Sequence, residues 1–260
     1  MNGSQLRTRR LFDATSGRAY VVAIDHGVLF GVQEGSQDAV AVVERCLATE
    51  PDGLLISPGL LARAGEGFAR RHAASPIVRL DYLTIDALTK PYGDRHRVVC
   101  TPARAAQLGA DGVVMYLMFG ADDGATFADN VAAVGDAIGE AHRAGLAFVV
   151  EVVNWGSTAT NRRDAEVLTY GCRVAAELGA DVIKTEYTGD PDSMARLVAG
   201  CPTPVLVLGG AKTGSEEALL DMTRDALRSG VAGVVYGRNV WQAHDPARVG
   251  GAVRALVHGG

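Results

Sequence analysis

The stretch "ELGADVIKTE", residues 177–186, packs a helix end, a glycine and an apolar strand into ten positions. The same unit returns as "QLGADGVVMY" (107–116), "RAGLAFVVEV" (143–152) and "RSGVAGVVYG" (228–237). Gly109, Gly145, Gly179 and Gly230 are expected to close each helix in the left-handed conformation, which costs glycine nothing sterically. "YVVAID" (20–25), "GLLIS" (53–57), "PIVRLD" (76–81) and "PVLVLGG" (204–210) add four strand-like runs, making eight. Helix starts stand between them: Ser36 before "QDAVAVVERCLATE", and Asp190-Pro191 and Asp245-Pro246, where an Asp cap precedes a proline at the first helical position. Continuous apolar strands alternating with helices imply an α/β fold, a parallel sheet covered by helices. The count of eight, the length and the lack of G-x-G-x-x-G after the first strand favour a single (β/α)8 TIM barrel over an open doubly wound sheet. With no linker or low-complexity segment, one domain is expected across 1–260.

The chain has 260 residues, 48% of them hydrophobic, enough to bury a large core. A net charge of −5 with interspersed signs leaves no basic face for nucleic acid or an anionic membrane. No apolar run approaches the roughly 20 residues of a membrane span, and no apolar segment follows the basic N-terminus as in a signal peptide. Cys46, Cys100, Cys172 and Cys201 lack metal or redox spacing, which suits reduced thiols and a cytoplasmic location. The six histidines show no ligand spacing, so no metal is expected.

Barrel chemistry gathers at the C-terminal strand ends. There Lys184 stands out. Of 25 Lys and Arg, three are lysines (Lys90, Lys184 and Lys212), so arginine serves wherever a generic cation suffices. An ammonium in a buried strand needs a partner or a use. A desolvated neutral amine can attack a carbonyl and form a Schiff base, an electron sink for the adjacent C–C bond. The alternative is a structural ion pair with Asp25 or Glu186. At the ends of strands seven and eight, Gly209-Gly210 and Gly237-Arg238 offer backbone N–H groups, a helix N-terminus and a guanidinium to a phosphate. Turn glycines with a solvated arginine would read the same way at either loop alone. Asp25 could bind substrate hydroxyls or move protons, with His26 assisting or merely filling a polar corner.

"AIDHGVLFG", "VIKTEYTGDPDS", "VLVLGGAKT" and "GVVYGRNVWQ" resemble the archaeal-type class I fructose-bisphosphate aldolases and their relatives, the aminodideoxyheptulosonate synthases and autoinducer-phosphate thiolases. The resemblance runs from Asp25 to the C-terminus. It implies Lys184 as Schiff-base lysine, Asp25 in substrate binding and proton handling, phosphate at Gly209, Gly210, Gly237 and Arg238, and a homo-oligomer, often a decamer. The family's proton-moving tyrosine near the end of strand five has Val153 in its place, within "VEVVNWG". Glu151, on the same strand face one layer deeper, and Tyr116, at the expected end of strand four, are the candidates to replace it; the alternative for Glu151 is that it only pairs with Lys184 or with the neighbours of Asp25. The expectation is a cofactor-free aldolase acting on a phosphorylated ketose, with fructose 1,6-bisphosphate a poor substrate. The alternatives are a synthase joining such a donor to an aspartate-semialdehyde-like aldehyde, and an inactive phosphate-binding barrel.

Overall fold

Val, Ile, Leu and Ala at consecutive positions leave these strands no polar face, so both sides must be covered. The computed structural model, which describes residues 2–210 and 213–259, does this with a closed parallel barrel. Its strands are β1 (Ala19–Ala23), β2 (Gly53–Ile56), β3 (Ser75–Arg79), β4 (Gly112–Phe119), β5 (Ala147–Asn154), β6 (Val182–Glu186), β7 (Val205–Leu208) and β8 (Gly233–Tyr236). Each pairs with its sequence neighbour in the barrel, and β8 closes on β1 through Ala19↔Gly233 to Val22↔Tyr236. Side chains alternate. Tyr20, Val22, Leu54, Val78 and Val113 face the helices, while Val21, Ala23, Leu55, Ile77, Val114, Val149, Val182, Leu206 and Val235 fill the interior. Leu11, at the end of the N-terminal helix Gly3–Arg10, joins that inner cluster.

Gly109, Gly145, Gly179 and Gly230 all have positive φ, at 88, 73, 101 and 85°. Asp190 and Asp245 cap helices Pro191–Gly200 and Pro246–His258 through Ser193 N and Arg248 N. The helix expected from Ser36 instead begins at Ala39: Asp38 accepts from Ala41 N at 3.0 Å, while the Ser36 hydroxyl is engaged with Gln33. β4 and β5 also run beyond the expected ends, paired through Phe119↔Asn154, so Tyr116 lies within its strand rather than at its end. Asn130, on helix Gly124–Arg143, brackets that extension by donating to Tyr116 O (2.9 Å) and accepting from Met118 N (2.8 Å).

A short antiparallel pair, Asp81–Leu83 with His96–Val98, is inserted after β3. Since β3 stops at Arg79, Tyr116 N finds the Asp81 carboxylate at 2.7 Å instead of a ladder carbonyl. In the loop of this hairpin Asp94 accepts from Asp122 N (3.0 Å) and Ser157 N (2.7 Å), joining the loops after β4 and β5.

Candidate active site

Lys184 is two positions above Val182 on the inward face of β6, and the register sets it directly beside Glu151 on β5. Both are buried, at 6% and 2% exposure. The amine's ion-pair partner is therefore Glu151, with Nζ to Oε1 at 2.7 Å, rather than Asp25 or Glu186. The other Glu151 oxygen, Oε2, accepts from Arg79 Nη2. Arg79, fully buried at the end of β3, uses all three sides of its fork: Nε donates to Asp25 Oδ2 at 2.9 Å and Nη1 to Asp81 Oδ1 at 3.3 Å. His96 Nε2 is 3.0 Å from the other Asp81 oxygen.

Burial works to raise the Asp25 carboxyl, but the Arg79 and Lys184 charges outweigh it and hold the group below the usual range. Burial pushes the Tyr116 phenol well up; the Arg79 guanidinium, 3.8 Å above its ring, opposes this without reversing it. Tyr116 thus keeps its proton and can donate but not act as a base. His26 is driven down to about 4 by burial, against the pull of Asp25, and is a neutral imidazole at pH 7.

Lys184, Glu151, Asp25, Tyr116, His26, Gly209, Gly210, Gly237 and Arg238, the nine residues singled out in the sequence, all line one cavity at the C-terminal end of the barrel. Leu29, Phe30, Ile85 and Trp155 give it apolar walls. Gly237 must be glycine: a Cβ there would stand 2.3 Å from His26 Cε1 and 2.9 Å from Ala23 O. Gly210, at φ 62°, offers its carbonyl to Arg238 Nη2 at 3.3 Å. Gly237 caps the four-residue helix Arg238–Trp241, whereas the helix after β7 starts only at Glu216, away from Gly209 and Gly210. Three buried polar atoms of the lining, His26 Nδ1, Trp155 Nε1 and Arg238 Nε, have no hydrogen-bond partner among the described residues. Buried polar atoms are seldom left so, and their convergence on one cavity is what a polar ligand would satisfy. Lys90 is exposed in the hairpin loop, and Lys212 lies outside the described residues.

Sequence reading missed Arg79 and Arg162. The signal for Arg79 was present in "PIVRLD", a charge inside an apolar run like that in "DVIKTE". Arg162 follows β5 in the chain, and its guanidinium lies 5.2 Å from the Trp155 ring centre on the cavity wall. No feature of its surroundings in the sequence marks it. Among the described residues no cluster of His, Cys, Asp and Glu is arranged to hold a metal.

An uncharacterised aldolase of Saccharolobus solfataricus is 34% identical over 99% of this chain and 95% of its own length. A 2-amino-4,5-dihydroxy-6-oxo-7-(phosphonooxy)heptanoate synthase of Streptomyces griseus is 30% identical over 97% and 89%. Among solved structures, an archaeal fructose-1,6-bisphosphate aldolase with its catalytic lysine bound to the carbinolamine intermediate superposes with a TM-score of 0.84, at 25% identity, covering 99% of this chain and 100% of that one. The DeoC/LacD family aldolase model matches residues 19–243, and the chain belongs to that family of class I, Schiff-base aldolases and related C–C bond-forming enzymes.

Proposed function

We propose that the protein makes or breaks the carbon–carbon bond beside the ketone of a phosphorylated ketose, with Lys184 as nucleophile. The carrying observation is the buried contact of 2.7 Å between Lys184 Nζ and Glu151 Oε1 on the cavity floor. Glu151 takes the ammonium proton, and the neutral amine adds to the ketone carbon. The N–C bond forms as the carbonyl π pair moves to oxygen, which receives a proton through Glu151. Glu151 then takes a proton from the carbinolamine nitrogen and passes it to that hydroxyl, which leaves as water, giving the iminium. In cleavage a base removes the proton of the β-hydroxyl, the C–C pair flows into the iminium to form an enamine, and an aldehyde departs; condensation is the reverse. Asp25, held ionised, accepts hydrogen bonds from substrate hydroxyls. Arg238 and the backbone at Gly209, Gly210 and Gly237 hold the phosphate.

The acceptor is best read as an aldehyde with an acidic group, as in a biosynthetic condensation. Arg162 supports this: its guanidinium lies over Trp155 on the cavity wall, where its charge also acts on the buried Glu186 carboxyl. The synthase relative at 30% identity, whose named product carries both a carboxylate and a phosphate ester, points the same way.

The test is turnover of a panel of phosphorylated ketoses and aldehydes by wild type, Lys184→Met and Glu151→Gln, with and without EDTA. Wild type should be indifferent to EDTA, Lys184→Met should fall to background, and Glu151→Gln should slow turnover by ~10²-fold. Activity in Lys184→Met, or a loss in EDTA that zinc restores, would contradict the reading.

A further inference from the structure

We infer that Arg79 is a positioning residue for proton transfer at Lys184: its guanidinium holds one oxygen each of Asp25 and Glu151, so that each carboxylate presents only its other oxygen to the reacting side. The inference rests on the reading of Lys184 as the Schiff-base lysine.

The geometry divides both carboxylates in the same way. Asp25 gives Oδ2 to Arg79 Nε at 2.9 Å, and its Oδ1 faces His26 Nδ1 at 3.8 Å, beyond hydrogen-bond reach. Glu151 gives Oε2 to Arg79 Nη2 and keeps Oε1 for Lys184. Two carboxylates on one cavity floor would repel each other and share a proton if nothing stood between them. Arg79 stands between them, and a planar fork with a permanent charge suits the task. Its own placement is fixed from two further directions. Asp81 accepts from Nη1 at 3.3 Å and is itself held by Tyr116 N at 2.7 Å and by His96, while the Tyr116 ring supports the guanidinium face at 3.8 Å.

A consequence follows for Glu151. A carboxylate gripped on Oε2 cannot rotate, so Oε1 stays aligned with Nζ through each proton exchange with the amine and the carbinolamine hydroxyl. A lysine at position 79 would keep the charge but carry its three N–H donors on one nitrogen, without the planar fork that reaches Asp25, Asp81 and Glu151 from three separate nitrogens. Glu151 would then turn, and misplacement by about 1 Å is enough to cost ~10²-fold in rate.

The experiment compares wild type with Arg79→Lys in kcat, KM, the pH profile of kcat, and the rate of borohydride trapping at Lys184 with dihydroxyacetone phosphate. Arg79→Lys should lower kcat by ~10²-fold with KM for the phosphorylated donor within about twofold, because Arg238 is untouched. The pH profile of kcat should shift from that of wild type, because the charges facing Lys184 are rearranged. Trapping at Lys184 should persist at a slower rate. A role confined to folding would instead lower the active fraction and leave the pH profile of the remainder in place. If Arg79→Lys does not fold, Asp81→Asn loosens the guanidinium from outside the reacting atoms, and a shifted pH profile of kcat is expected there too. A folded variant with the wild-type pH profile and trapping rate overturns the inference, as does an unshifted profile in Asp81→Asn where Arg79→Lys does not fold. Absence of any wild-type adduct at Lys184 would instead overturn the underlying reading.

Discussion

Arg238 combines a partly buried guanidinium, lowered from its ordinary value by burial and by the neighbouring Arg162 charge, with an Nε that has no partner among the described residues. If that nitrogen serves a phosphate, Arg238→Ala should raise KM for a phosphorylated substrate by roughly 1.5–3 kcal/mol in free energy and leave the unphosphorylated analogue nearly unaffected. Steady-state kinetics on the pair decides it, and equal losses on both would make Arg238 structural. At this scale the sequence was most legible where a residue type was rare. Lys184 stood out because lysine is scarce in the chain; Arg79 was hidden because arginine is common. Glu151 could be placed on the inward face from strand alternation alone, and the structure agrees: Val149 lies in the inner cluster and Val153 packs with Leu29, Leu83, Tyr116 and Met118. Its pairing with Lys184 depends on the β5–β6 register, which no local pattern specifies.

Elements were read well where a single chemical rule ends them. The Asp-Pro starts and the four helix-closing glycines obey such rules. The ends of β4 and β5 do not: Asn130, twelve and fourteen residues beyond its partners Met118 and Tyr116, holds the extension in place. The hairpin after β3 was missed for a similar reason, because each of its strands spans three residues, too few to show a period. Asp94 carries the consequence of that hairpin, tying the loops after β4 and β5 through two backbone amides and the Ser157 hydroxyl at 3.1 Å. Asp94→Ala should leave both N–H groups unpaired and cost about 3 kcal/mol of stability. Chemical unfolding measures the loss, and amide exchange at Asp122 and Ser157 should accelerate well before global unfolding. Unchanged exchange at those two positions would mean the loops are held some other way.

Across the whole molecule, the barrel keeps an apolar lower interior and places its charges near the top, where burial and ligand chemistry meet. That layering has a pH signature. The folded protein holds His26 near 4 while the unfolded chain titrates it near 6.5, so between those values the unfolded state binds more protons. Stability from this group is complete above about pH 6.5 and is lost as the pH falls towards 4, by up to about 3 kcal/mol. Asp25 acts in the same direction but only below the usual carboxylate value of 3.8, outside that window. Denaturant unfolding from pH 7 to pH 4 should show the decline, and His26→Gln should flatten it. A variant that declines as steeply as wild type would assign the slope to other groups.

The central claim is that the buried amine paired with Glu151 is the group that bonds to substrate. Its most direct test is borohydride reduction in the presence of dihydroxyacetone phosphate, followed by peptide mass mapping. The account predicts one reduced adduct, on the peptide containing Lys184, abolished in Lys184→Met and formed more slowly but at the same site in Glu151→Gln. An adduct on Lys90 or Lys212 instead, or none with any phosphorylated ketone tried, would contradict it.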